Sequence, residues 1–246
     1  YQFAPFRFVE LFIRGSIGEI YTYTFTPLVL YGIIKTIENP SYQTVLLLVI
    51  ATALLVLSHN SISLVFFAVC LLFLLFMHRS IKNSLLAFSG LLGGLALSAF
   101  YWMPALLEHK YTYGDLFMKE VFRKHFPPLV NFFLPNLNNT GALQTGGVPV
   151  QFGLFHEIAI ALALWAILKN KGIPTNLKKI TIFSLTLIFV TLFFMQPIST
   201  VFWEKVTLLR QFQFPWRLLA TIVLASSLLS AYYISFLKKW TNVGIL

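Results

Sequence analysis

Arg14-Gly15-Ser16-Ile17-Gly18-Glu19 sets a guanidinium five residues ahead of a carboxylate, where a long apolar stretch begins. A carboxylate just inside an apolar boundary is expensive unless it is paired, so Glu19 reads as a functional position by default. A spacing of five does not bring both side chains onto one helical face, but Gly15 and Gly18 let the backbone bend. The chemistry such a pair could do is an arginine gripping a lipid-linked phosphate beside a carboxylate that orients a sugar hydroxyl or an ion. The plainer reading is an interfacial helix with an ordinary Glu10–Arg14 pair at i, i+4 and Glu19 reaching outward. Ser58-His59-Asn60 joins two apolar runs. It is either a simple turn or a place where His59, with Asn60 beside it, donates to a phosphate or titrates near neutral pH. Glu108 follows Tyr101-Trp102-Met103-Pro104, where an apolar run emerges, and is a candidate acid/base residue at that rim. Trp216-Arg217 fixes a positive charge beside an aromatic ring, as an anchor or as a second phosphate contact.

Other chemistries are excluded. His156-Glu157 supplies the first half of a zinc-protease motif, but position 160 is isoleucine, so the second ligand is missing. No glycine-rich phosphate loop, Cys-x-x-Cys pair or nucleophile elbow is present, and Cys70 is the one cysteine. No cofactor is specified, although a divalent cation would be compatible. Asp115, Glu120, Arg123 and Lys124 read as a solvated helix in a loop.

The elements that must carry these residues follow from composition. The chain of 246 residues is 58% hydrophobic and 11% charged, more apolar surface than a soluble fold of that size can hide. Several stretches approach the roughly 20 apolar residues needed to cross a bilayer, and backbone groups in lipid must be satisfied within the segment. The expectation is an all-α, polytopic transmembrane bundle of about seven spans forming a single integral-membrane domain. Pro5 opens an interfacial helix on which Arg7, Glu10 and Arg14 share a face. Spans are expected at about 17–34 (kinked by Pro27), 42–57, 62–77, 85–103, 152–168, 180–195 and 218–237, with one long external loop at 105–150. Gly90, Gly94 and Ser98 repeat every four residues, a small-residue face for close helix packing. The chain opens on Tyr1 without an initiator methionine, which predicts that it is incomplete at its N-terminus.

The net charge of +10 is not a nucleic-acid signal, because the lysines sit singly or in pairs between apolar spans. Seven spans put Lys35, Arg79, Lys82, Lys169, Lys171, Lys178, Lys179, Lys238 and Lys239 on one face, with Glu38 as its one acid. Short basic turns decide orientation, so that face is expected to be cytoplasmic. The turn at His59, the long loop and both arginine-aromatic segments then lie outside.

Five motifs occur in order: Arg14-Gly15 with Glu19; Ser58-His59-Asn60; the run from Ala99 through Tyr101-Trp102-Met103-Pro104 to Glu108; Phe126-Pro127-Pro128; and Phe212-Gln213-Phe214-Pro215-Trp216-Arg217. Together they resemble a bacterial and archaeal membrane family labelled "6-pyruvoyl-tetrahydropterin synthase-related", over nearly the whole chain. The soluble pterin enzyme in that label needs a histidine zinc site, which this sequence does not supply. The family looks like a distant relative of the GT-C glycosyltransferases and of YfhO-type membrane proteins. The resemblance implies a multi-pass protein of a prokaryotic plasma membrane that takes a sugar from a polyprenyl-phosphate donor at the outer face. Membrane lipids and the donor are its implied partners, with Arg14, Glu19, His59, Asn60 and Arg217 as donor contacts. In the relatives the catalytic acid sits in the first external loop, which here is expected upstream of Tyr1. A transporter or lipid flippase, and a non-catalytic scaffold in envelope assembly, are the alternatives.

Overall fold

Pro5 begins the first helical turn, Pro5–Phe8, where a residue without an amide hydrogen is best tolerated. The turn widens into a π turn, Val9–Ile13, and Gly15 reverses the chain with φ +61° before the first long helix. The structure, a computed structural model, describes residues 1–108, 111, 120–134, 150–169 and 174–241. Among these residues the long helices are α1 (Ile17–Glu38), α2 (Tyr42–Ser58), α3 (Asn60–Phe76), α4 (Ile81–Leu97), α5 (Ala99–Leu107), α6 (Leu154–Lys169), α7 (Thr175–Phe194) and α8 (Leu219–Thr241). Short helices at Thr200–Lys205 and Thr207–Arg210 and a 3₁₀ turn at Pro215–Leu218 connect α7 to α8.

Helix α1 packs on α2, α3 and α4, while α8 packs on α6 and α7. Phe183 of α7 meets Phe73 and Phe76 of α3 edge-on, joining the two groups. The segment Pro5–Phe8 lies against α8 and closes the bundle at one end. Pro27 sits inside α1 and has no amide hydrogen to give the carbonyl of Tyr23. The hydroxyl of Tyr1 donates to that carbonyl instead, at 2.9 Å. A proline inside a helix thus leaves no orphaned carbonyl, because another segment supplies the missing donor.

The expected small-residue face is present and packs on α2. Gly90 and Gly94 meet Leu48 and Thr52, and a Cβ on Gly94 would lie 2.4 Å from the Thr52 Cβ and 2.6 Å from the Val49 carbonyl. The fourth expected span differs from its reading as one helix. It breaks at Ser98, and α5 turns 71° away from α4. The buried Ser98 hydroxyl bonds the carbonyls of Gly94 and Leu95, and Trp102 Nε1 donates to Leu95 as well, at 2.9 Å. These bonds satisfy the carbonyls that the break exposes. Val121–Lys124, read as part of a solvated loop helix, is a 3₁₀ turn with Phe122 buried against Trp203 and Glu120, Arg123 and Lys124 exposed. His109, Lys110, Asp115, Lys119, Lys171 and the 136–147 stretch of the loop lie outside the described residues.

One described helix, Thr175–Phe194, is long and apolar enough to cross a membrane, and the bent pair α4–α5 passes the same test when taken together. Tyr42–Ser58, Asn60–Phe76 and Pro215–Ala231 are shorter apolar helices. Their outward faces are apolar too: Leu46, Ile50, Leu54 and Leu57 form an exposed stripe on α2, which suits lipid as solvent better than water.

Because backbone lies so close at Gly94, Gly94→Ala should lower the unfolding free energy of the detergent-solubilised protein by about 1–3 kcal/mol. Gly93→Ala, whose Cβ would meet only Val49 methyls, the nearer at 3.0 Å, should cost less. Equal losses in thermal or denaturant unfolding would contradict the tight α2–α4 contact.

Candidate functional site

Two glycines build the charged site from its backbone. Gly15 adopts a left-handed φ that other residues enter at a cost of about 1 kcal/mol, and the reversal folds Arg14 back over the start of α1. Gly18 lets α1 press against the α2–α3 turn, since a Cβ there would lie 2.6 Å from the Ser58 carbonyl and 3.4 Å from the His59 ring. Arg14 and Glu19, too far apart in sequence to meet on one helix, therefore meet across the break, with Arg14 Nη1 3.0 Å from Glu19 Oε1. The same nitrogen contacts Glu10 Oε2.

Arg217 arrives from the 3₁₀ turn ahead of α8 and places its Nε 3.3 Å from Glu19 Oε1. Its Nη1 donates to the Phe212 carbonyl at 3.1 Å, fixing the fork. His59 contributes Nε2 at 3.9 Å from the same carboxylate oxygen. The His59 Nδ1 accepts from the amides of Ser61 and Ile62 at 3.2 and 3.3 Å and so caps α3. In the neutral ring this leaves the proton on Nε2, facing Glu19. Burial holds His59 below its usual pKa despite the pull of Glu19, so it is neutral at pH 7. Burial first, and then the charge of Glu19, push the Glu10 carboxyl up to about 8 against the opposing effect of Arg14.

Aromatic rings form the floor. Arg14 lies over Trp216 with its guanidinium carbon 4.8 Å from the ring centroid, and Arg217 lies over Phe214 at 5.1 Å. Phe214 and Trp216 stack at 5.1 Å, and Phe6 meets Trp216 edge-on. The turn that presents them is strained, with Gln213 at φ +62°; such strain concentrates at functional positions.

Glu10 and Glu19 are 0% and 1% exposed. The side chains of Arg14, Arg217 and His59 keep 14%, 11% and 27% of their surface. The cluster is therefore acidic at its base and basic at its rim. Glu10 Oε1, Glu19 Oε1, Trp216 Nε1 and Arg217 Nε are buried without an aligned hydrogen bond among the described residues. The Nη2 groups of both arginines make no hydrogen bond among those residues. Donors with unused capacity at the rim of a partly desolvated site fit a phosphate or a carboxylate.

The structure thus gathers Arg14, Glu19, His59 and Arg217. Asn60 is exposed at the start of α3 and Glu108 is exposed at the end of α5, each outside the cluster. His156 sits elsewhere, its Nδ1 2.8 Å from the Ser226 hydroxyl in the α6–α8 packing. Among the described residues no group of three His, Cys, Asp or Glu side chains could hold a metal ion. Sequence reasoning passed over Glu10 as an ordinary surface pair and Trp216 as a membrane anchor. The signal for both was available: Arg14 lies within five residues of two acids, and Trp216 directly precedes the second arginine.

At the far end of α1, Glu38 pairs with Arg79 at 3.1 Å, Lys179 Nζ donates to the His78 carbonyl, and Asn83 Nδ2 donates to the Ile37 carbonyl. Glu19 and Glu38 are nineteen residues apart on one helix, about 28 Å along its axis. That is close to the roughly 30 Å of a bilayer's hydrocarbon core, and the charged site and the basic turns lie at opposite ends of α1. A family model described as the 6-pyruvoyl-tetrahydropterin synthase related domain, a membrane protein, matches residues 1–242. The chain belongs to that family. No curated protein and no solved structure matches the chain. In this family member the membrane assignment and the exposed apolar helix faces agree, and the Glu19 cluster is the densest set of buried charge among the described residues.

Removing one partner of a buried ion pair strands the other, at a cost of about 3–5 kcal/mol. Arg217→Leu should therefore destabilise the protein by that order, and adding Glu19→Gln should recover a substantial part. Additive losses in a double-mutant unfolding cycle would show that the two side chains are not coupled.

Proposed function

We propose that the protein is a GT-C-like membrane glycosyltransferase, or the membrane body of one, that uses a polyprenyl-phosphate-linked sugar at the extracytoplasmic face of a prokaryotic plasma membrane. The observation that carries this reading is the pair of guanidiniums sharing Glu19, with unused Nη2 donors at one end of the bundle. A prenyl phosphate needs cations at headgroup depth and an apolar surface for its tail, and the exposed faces of the helices provide the latter. Arg14 and Arg217 would hold the donor phosphate and stabilise the charge that grows on it as the glycosidic bond breaks. His59 Nε2–H would add a neutral donor, and Glu19 would keep both forks aimed. Asn60, exposed one residue beyond His59, would face the sugar. The basic turns at the other end of α1 support an outward-facing site, because short lysine-rich turns stay cytoplasmic.

An inverting transfer needs a carboxylate base beside the acceptor hydroxyl. Glu19 is committed to two arginines and suits a structural role better. Glu108, exposed at the end of α5, is the candidate among the described residues.

A transporter or lipid flippase has one feature in its favour, the break at Ser98, since broken helices frame many transport sites. That break carries no charge and its carbonyls are satisfied locally. The buried acids and arginines stand instead at one end of the bundle.

The test uses the full protein in proteoliposomes with polyprenyl-phosphate sugars. Arg14→Ala and Arg217→Ala should each weaken donor binding about tenfold or more, and Arg217→Lys should restore it only in part because the fork is lost. Transfer from no polyprenyl-phosphate sugar, together with unchanged donor affinity in both alanine variants, would remove the enzyme reading.

A further inference from the structure

We propose that Glu10 is a positioning residue that couples capture of the lipid phosphate at Arg14 to uptake of a proton, an inference that rests on the phosphate reading of the site above. The geometry is a competition for one nitrogen. Glu10 and Glu19 both contact Arg14 Nη1, so the charge of Arg14 is shared between two carboxylates before any anion arrives. Glu10 is fully buried, and its second oxygen, Oε1, has no hydrogen-bond partner among the described residues. That oxygen is placed to carry a proton.

The charged and titratable groups around Glu10 come from every neighbouring element. Arg14 is on its own segment, and Glu19 and Tyr23 come from α1. Arg217 comes from the turn before α8, and His59, which meets Glu19, from the α2–α3 turn. Arg7 lies over the Tyr1 and Tyr23 rings on the N-terminal side. With both acids ionised, two carboxylates cancel two guanidiniums and nothing is left to attract a phosphate. With Glu10 protonated, one positive charge remains at the rim. Burial and the charge of Glu19 push the Glu10 carboxyl up to about 8, so the cationic form prevails at neutral pH and is lost above that value. A bound phosphate disfavours the ionised carboxyl further. Binding therefore takes up a proton, and affinity falls as pH rises.

The experiment measures binding of polyprenyl phosphate to the full protein in lipid nanodiscs between pH 7.5 and 9.5. Across that range the phosphate is fully ionised, its second pKa being about 6. Wild-type affinity should fall about tenfold, the equivalent of one unit of pKa difference between bound and free states. Titration calorimetry in two buffers should show net proton uptake. Glu10→Gln should bind with a flat profile and no uptake, whereas Arg217→Ala should bind more weakly at every pH and keep a pH-dependent fall, displaced to higher pH because the Arg217 charge holds the Glu10 carboxyl down. A flat wild-type profile, or an unchanged slope in Glu10→Gln, overturns the coupling and leaves the phosphate site standing. No wild-type binding at pH 7.5 overturns the site itself and the coupling with it. Should Glu10→Gln fail to fold, the wild-type slope and proton uptake decide the matter.

Discussion

A carboxylate taken out of water costs several kcal/mol unless cations come with it, and Glu19 brings three segments together to meet that cost. Arg14 reaches it from the N-terminal turn, His59 from the α2–α3 turn and Arg217 from the entry to α8. Helix α1 belongs to one group of packed helices and α8 to the other. The ion pairs therefore do more than neutralise a charge, because they fix how the two groups close at one end. Everything that the site presents to a ligand inherits its position from that closure.

The surrounding packing works toward the same end. Gly18 removes a side chain so that the histidine turn can approach, and Gly15 supplies the reversal that aims Arg14. Trp216 supports one arginine and Phe214 the other, and their stacking makes the two supports a single rigid body. Arginine suits such a place because its planar fork can lie on a ring while its edge bonds an anion. At the opposite end exposed Glu38 and Arg79 pair with each other, and half-buried Lys179 holds the His78 carbonyl of the same turn.

Much of the architecture was legible in the residues themselves. Apolar runs of near-membrane length gave the long helices, and the Gly90–Gly94 spacing announced a close helix contact, whose partner α2 only the fold supplies. Arg14, Glu19, His59 and Arg217 stood out because ionisable groups at apolar boundaries are rare. What the pattern concealed depends on three-dimensional accounting. The break at Ser98 leaves no gap in hydropathy, since both sides of it are apolar and the cue is a serine able to satisfy carbonyls. Glu10 looked like half of an ordinary i, i+4 pair, and only the fold reveals that its partner is shared. Tyr1 gave no sign of its role, although Pro27 does announce that the carbonyl four residues back needs a donor. Asn60 and Glu108 were singled out by their neighbours in sequence, and both stand exposed outside the ion-paired cluster.

The length of α1 between its two charged ends bears on the choice of membrane. Glu19 is clamped from three sides and Glu38 is tied to the α3–α4 turn, so neither end can slide along the helix axis. A helix anchored at both ends cannot answer a thicker bilayer by tilting independently of its bundle, and the lipid must then deform around the protein. The cost of that mismatch is a fraction of a kcal/mol per ångström, summed over the whole perimeter. A bundle of this fixed height would gather short-chain or fluid lipid about itself and be excluded from thick, ordered patches. Acyl-chain length would then influence where in the cell surface the protein resides, without any lipid being recognised by its headgroup.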